Sequence, residues 1–129
     1  MGARELTPML TVRDARAASK FYQRAFGAIE VSRSATPGGQ YVIELAIDGQ
    51  RFSAVDENPP ASNLSPDWLH GTSVRLSLIV DEPDAAADRA AAAGARVLFP
   101  VADQPYGMRQ GRVIDPFGHH WLIGKPLSS

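Results

Sequence analysis

Gly111-Arg112-Val113-Ile114-Asp115-Pro116-Phe117-Gly118-His119-His120-Trp121-Leu122-Ile123 is the stretch on which the fold turns. Asp-Pro-Phe-Gly is turn chemistry: Asp can bond its own following backbone, Pro presets φ, and Gly accepts the backbone that closes a tight reversal. Apolar residues on both sides make it a hairpin. An earlier stretch repeats the arrangement, with Val42-Ile43-Glu44-Leu45-Ala46-Ile47-Asp48-Gly49 running into Arg51-Phe52-Ser53-Ala54-Val55.

The repeat extends upstream. Residues 6–12, Leu-Thr-Pro-Met-Leu-Thr-Val, alternate as a strand. Asp14 then N-caps a helix bearing Ala15, Ala18, Phe21, Tyr22, Ala25 and Phe26, and Gly27 stops it. Residues 74–80, Val-Arg-Leu-Ser-Leu-Ile-Val, are again a strand, and Asp81, Pro83 and Asp84 open a second helix, Ala85 to Ala93, ended by Gly94. Val12 to Gly49 spans 37 residues and Val80 to Gly118 spans 38. Each half therefore reads strand, helix, then two or three strands. The class is α+β, two tandem βαβββ modules in one domain over 1–129: module one at about 5–56, a Pro/Asn/Ser-rich linker at about 57–72, and module two at about 73–126.

Composition narrows the function classes. The 129 residues are 44% hydrophobic and 21% charged, a globular balance. Thirteen basic and fourteen acidic side chains leave a net charge of -1 without a block of like charge, which argues against nucleic acid or a membrane surface as partner. No apolar run approaches the length of a membrane span, and a cytoplasmic location is expected. With no cysteine, disulfides, thiolate nucleophiles and thiolate metal sites are excluded. Pro37-Gly38-Gly39 is a hairpin loop rather than a phosphate cradle, because no helix or Lys-Ser/Thr follows it. Arg109 and Arg112 flank a loop without aromatic residues in series.

The chain resembles the vicinal oxygen chelate superfamily of glyoxalase I, bleomycin-resistance proteins and extradiol dioxygenases. The resemblance is carried by Val12-Arg13-Asp14, Phe21-Tyr22, Ala25-Phe26-Gly27-Ala28, Val80-Asp81, Gly94-Ala95 and the run from Gly111 to Trp121. From Tyr106-Gly107 to Trp121 it is most similar to the PhnB-like branch. The resemblance implies a curved sheet enclosing a cleft, with helices outside, and modules that pair within or between chains, so that a homodimer is expected. Alternation then puts Leu10, Val12, Leu76, Leu78, Val80, Trp121 and Ile123 under the helices. Thr7, Met9, Thr11, Arg75, Ser77, Ile79, Ser53, His120 and Leu122 face the cleft.

In metal-dependent members, the first and last strands of the modules carry the ligands. Counting from Val12, Val80, Gly49 and Gly118, those slots hold Thr7, Arg75, Ser53 and Leu122. Leu122 has no donor atom, and Arg75 brings a fixed positive charge to a cation's place. Glu44 lies in a Val-Ile-Glu-Leu run like that around a glyoxalase ligand, but it precedes the Asp48-Gly49 turn, whereas the ligand strand follows it. No metal and no other cofactor is expected.

Glu44, His120 and Arg75 are the candidates for chemistry. Glu44 or His120 could act as a general base while Arg75 polarises an oxyanion. Equally, His120 could be an ordinary half-exposed strand residue, and Arg75 could form a structural pair with Glu44. His119, after the glycine, is read as stabilising its hairpin. Thr7, Met9, Ser53, Ser77 and Leu122 complete the candidate ligand-binding face, with Tyr106 and Met108 in a long loop over it. Trp68, in the linker, either covers a ligand or meets a partner subunit. Phe21, Tyr22, Phe26 and Trp121 are read as core. The reading is a small-molecule-binding protein of the bleomycin-resistance type, sequestering an apolar or aromatic ligand such as an antibiotic in a dimer cleft. The alternative is a lyase, isomerase or dioxygenase of the same superfamily acting on a vicinal oxygen or carbonyl substrate.

Overall fold

The computed structural model describes residues 2–128. Module one comprises β1 (Met9–Val12), α1 (Ala15–Phe26), β2 (Ile29–Ala35), β3 (Tyr41–Ile47) and β4 (Gln50–Asp56). A 3-10 turn (Pro59–Ala61) and α2 (Pro66–Leu69) occupy the connection. Module two comprises β5 (Arg75–Ile79), α3 (Pro83–Ala93), β6 (Arg96–Asp103), β7 (Met108–Ile114) and β8 (His120–Pro126). The strand orders are the same, β1-β4-β3-β2 and β5-β8-β7-β6, with β1 parallel to β4 and β5 parallel to β8. The fold is α+β, two βαβββ modules in tandem.

Local chemistry explains the first helix. Asp14 is extended and accepts from the Ala17 N–H at 3.1 Å, while Gly27 closes the helix at φ 68°. Asp56, at the end of β4, accepts from the Ala15 N–H at 2.6 Å and from the Tyr41 N–H at 2.7 Å, tying helix start to sheet. The second helix departs from expectation. It begins at Pro83, two residues before Ala85, with Glu82 rather than Asp81 at the cap position and no side-chain cap bond. Proline is well suited to the first turn of a helix, where no N–H is needed. Met108 also lies in β7 rather than in a loop, because the β6–β7 connection is a tight turn in which Gly107 sits at φ 86°.

The core lies between the sheets and their helices. Leu10, Val12, Ile43, Leu45, Phe52, Ala54, Trp121 and Ile123 are buried in one cluster with Ala15, Ala18, Phe21, Tyr22 and Ala25 of α1, and Leu76, Leu78 and Val80 pack beside them. The modules meet through α1. Phe26 lies 4.6 Å from Trp121 between ring centroids, Phe52 lies 5.7 Å from Trp121, and Phe21 meets Phe117 edge-on.

At this seam the buried Asp115 carboxylate accepts four hydrogen bonds: Tyr22 Oη–H at 2.5 Å, Trp121 Nε1–H at 3.0 Å, and the N–H groups of Phe117 at 2.8 Å and His119 at 3.0 Å. Burial, followed by the Asp115 charge, raises the Tyr22 pKa well above its usual value, so the phenol stays a donor. His119 does more than hold its own hairpin, because its Nε2 lies 2.8 Å from the Thr11 carbonyl oxygen in β1. Gly118 sits at φ 88°, and a Cβ there would come within 2.6 Å of the Pro66 Cβ. The turn thus needs glycine both for its backbone angle and for the approach of α2.

Removing the Tyr22 hydroxyl would leave Asp115 one donor short in the interior. Tyr22→Phe should therefore cost about 1–3 kcal/mol in urea unfolding. A loss below about 0.5 kcal/mol, the usual range for surface changes, would show that this bond does not hold the modules together.

Candidate functional site

Each sheet has one face on the core and one turned away from the helices, and cross-strand register identifies the side chains on this open face. In sheet one, Ser53 of β4 lies between Met9 of β1 and Glu44 of β3. In sheet two, Leu122 of β8 lies between Ser77 of β5 and Arg112 of β7, with Phe99 of β6 beyond. The adjoining row of sheet two runs Arg75, His120, Ile114, Arg96.

Thr7 precedes β1 and its hydroxyl donates to Glu5 Oε1 at 2.8 Å. Met9 is 60% exposed and Ile79 is 55% exposed. Ser53 is buried beneath its neighbours. Tyr106 is exposed in the β6–β7 turn, and its hydroxyl donates to Gln110 Oε1 at 2.7 Å. Trp68 is exposed on the short helix α2. An open groove of about 1020 Å³ runs between the N-terminal stretch, the β3–β4 hairpin and β5. Thr7, Arg51, Arg75, Ser77 and Ile79 border it together with Leu76, Leu78, Phe52 and Trp121 from the core side, so it follows the edge of β5 between the modules. Glu44, Ser53, Met9, Tyr106, Met108, His120 and Leu122 do not border this groove.

Glu44 does reach the open face, but its partner is Arg51, not Arg75. Arg51 stands two residues before Ser53 and shares its face by simple alternation. The Arg75–Glu44 pair is therefore not formed. Arg75, Arg96 and Arg112 engage in no ion pair among the described residues. Arg109 and Arg112 sit within β7 rather than beside a loop, on opposite faces. Arg109 turns to the helix side and binds Asp84 through two bonds of 2.7 Å. Arg112 is on the open face, its guanidinium carbon 5.6 Å from the Phe99 ring centroid and its Nε buried without a hydrogen-bond partner. Gly111 beside it is needed because a Cβ would come within 2.7 Å of the Phe99 carbonyl oxygen.

The superfamily's metal chemistry can be tested against these residues. Thr7, Ser53, Arg75 and Leu122 offer no imidazole or carboxylate, whether the faces meet within one chain or between two. Among the described residues no three His, Asp or Glu side chains gather where an ion could be held. The donor set does not fit a divalent metal, which takes three or four N or O ligands. Glu44 and His120 supply two at most, and Glu44 is already held by Arg51.

His120 is half-buried among Arg75 on β5, Arg112 on β7, Arg96 on β6, and Asp115 and His119 in the turn. Burial, then the charge of Arg112, lowers its pKa; Asp115 opposes this, and Arg96 and His119 add to the lowering. The imidazole is thus neutral at pH 7. The folded chain resists protonating it, so this contribution to stability is present above the ordinary histidine pKa and is lost as pH falls below it. An NMR titration should place His120 below the value of about 6.5 for a free imidazole. Arg112→Gln should move it upward by removing a nearby cation. A downward shift or none would show that the Arg112 charge does not act on His120.

Comparison with known proteins gives a consistent picture. A sequence profile for the Glyoxalase/Bleomycin resistance protein/Dioxygenase superfamily matches residues 6–123. An uncharacterised protein of Mycobacterium bovis is 40% identical over 126 residues, covering 95% of this chain and 83% of that protein. An uncharacterised protein of Mycobacterium tuberculosis has the same identity, with 95% of this chain and 74% of that protein covered. Among solved structures, TioX from Micromonospora sp. ML1 superposes with a TM-score of 0.75 at 25% identity, covering 97% of this chain and 100% of that one. The fosfomycin resistance protein FosX of Listeria monocytogenes, solved with Mn(II) and sulfate, superposes with a TM-score of 0.72 at 18% identity, covering 97% and 93%, a likeness of fold alone. An ordered βαβββ repeat joined through Asp115, matched over nearly its whole length, places this chain in the Glyoxalase/Bleomycin resistance protein/Dioxygenase superfamily.

Proposed function

We propose that the chain is a metal-independent small-molecule-binding protein that holds its ligand between the open sheet faces of a homodimer and acts by sequestration. One observation carries this reading: the superfamily's four ligand positions are filled by Thr7, Ser53, Arg75 and Leu122, which leave polar anchors and apolar surface where a metal would need donors. A binding protein needs a shaped, mostly apolar surface with a few placed polar groups, and no reactive centre. Met9, Ile79, Leu122 and Phe99 supply the apolar surface; Thr7, Ser77, Glu44 and the arginines supply the anchors. The dimer is supported by β1 and β5, each an edge strand without a partner on its outer side, and by Leu6, Met9, Val74 and Ile79 exposed nearby. An antibiotic is a fitting ligand class, since the fold is shared with fosfomycin resistance proteins.

Metal analysis of the purified protein, with its mass in solution, is the direct test. The expected result is a dimer with substoichiometric metal and a melting temperature that chelator leaves unchanged. A thermal-shift screen of aromatic and peptide antibiotics should then find a ligand that stabilises by about 2.7 kcal/mol at one hundred times its Kd. Stoichiometric Mn, Zn, Ni or Fe whose removal lowers the melting temperature would overturn the proposal in favour of a metal enzyme.

A further inference from the structure

The two open faces differ in charge. At matching places in the repeat, sheet one has Met9, Ser53 and Glu44 across the strands, and sheet two has Ser77, Leu122 and Arg112. Sheet one's acid is neutralised by Arg51. Sheet two has no acid in its open rows: Arg75, His120, Ile114, Arg96; then Ser77, Leu122, Arg112, Phe99; then Ile79, Gly124, Gln110, Ala102.

Three guanidiniums therefore share one face. Arg75 is directly across from His120, and Arg112 is a diagonal neighbour of both His120 and Arg96, at the roughly 7–8 Å typical of such pairs. None has a carboxylate partner among the described residues. Of the other eight arginines, Arg13, Arg33, Arg51 and Arg109 have at least one, whereas Arg4, Arg16, Arg24 and Arg89, spread over other parts of the chain, have none among the described residues. Arg112 is further constrained. Phe99 sits beside its guanidinium, Leu122 lies across the strand, and its Nε is cut off from water without an acceptor. An oxygen the size of water cannot reach that Nε, so a ligand would meet the terminal N–H groups of Arg112, which lie outside this burial and carry no hydrogen bond among the described residues. Neutral His120, with donor and acceptor nitrogens, can stand against an anion without requiring a second negative charge.

Resting on the binding-protein reading, we propose that the open face of sheet two, formed by Arg75, Arg96 and Arg112 around His120, is the subsite for an oxyanion head group, carboxylate or phosphoryl, on the ligand. Arg112 supplies the central fork, with Arg75 and Arg96 closing on it from the outer strands. Guanidinium matches both groups because its N–H donors lie in one plane and can engage two oxygens at once. Phe99, Leu122 and Ile79 then accept the apolar body attached to that head group. The ligand is thus an amphiphile with one anionic end, a narrower class than an apolar or aromatic molecule alone.

Calorimetric titration of the full chain with phenylphosphonate, benzoate and benzyl alcohol tests this, since the three share a ring and differ in head group. Both oxyanions should bind, more weakly as KCl is raised. Benzyl alcohol should bind at least about tenfold more weakly, and Arg112→Gln should lose about tenfold in affinity for the oxyanions. Arg112→Lys should recover part of the loss, Arg24→Gln, a charge removed from the exposed side of α1, should lose nothing, and bound anion should raise the His120 pKa. Tighter phenylphosphonate assigns a phosphoryl ligand; tighter benzoate assigns a carboxylate. If Arg112→Gln fails to fold, the exposed Arg75→Gln and Arg96→Gln variants give the same reading. Equal binding of benzyl alcohol, or wild-type anion affinity in the folded arginine variants, would overturn the anion subsite and leave the binding-protein reading standing. Failure of all three probes would also overturn the subsite, while the metal analysis and antibiotic screen would still decide the broader reading.

Discussion

The Asp115 carboxylate is the group on which the rest of the molecule depends. It is buried, and its four donors come from α1 in module one, from β8, and from the backbone of its own turn. A buried carboxylate is costly unless each acceptor site is used, so the turn, the first helix and the last strand must arrive together. Tyr22 lies at the centre of the same aromatic cluster, tilted against Trp121 and edge-on to Phe52. The hydrophobic contact sets how closely the modules approach, and the hydrogen bonds set their register. The Thr11 contact of His119 and the Arg13 bond to the Pro116 carbonyl oxygen at 2.6 Å continue this tie at the seam.

Because helices and seam take one face of each sheet, the other faces remain open. The repeat supplies the same backbone positions twice, and the chain fills them differently. Glu44 with Arg51 makes sheet one's open face nearly neutral, while Arg75, Arg96 and Arg112 leave sheet two's cationic. A cleft between such faces has a polarity that a symmetric one lacks. A ligand meeting both would be oriented with its negative end toward sheet two.

Much of the fold was legible in the sequence because its signals are local. Asp14 and Gly27 bound the first helix through backbone capping, and alternation assigned Leu10 and Val12 to the core and Met9 and Thr11 to the other face. The start of α3 is less legible, because an alanine-rich run has weak periodicity and Pro83, which with Asp81 and Asp84 signals a helix from Ala85, is itself the first helical residue. Strands β2 and β6 were not placed individually: β2 is exposed along its length, and β6 carries register shifts at Val97/Phe99 and Phe99/Ala102 that break its alternation. The candidate site was read less completely. Arg75 and His120 were placed on one face from strand parity, but Arg96 and Arg112 were not joined to them. Parity from Val113 does assign Arg112 to that face; its neighbours require the pairing of β6 with β7.

The sequence by itself determined the repeated βαβββ order, the turn at Asp115–Gly118, the lack of thiol chemistry and the poor metal-ligand set. These follow from residue type and from spacing along the chain. Tertiary structure alone decided that Glu44 pairs with Arg51, that Asp115 binds Tyr22 across the modules, and that three arginines gather without a counter-charge. Net charge is a sum over the chain and carries no record of place. A cationic face in a nearly neutral protein arises only when strand pairing brings distant residues side by side.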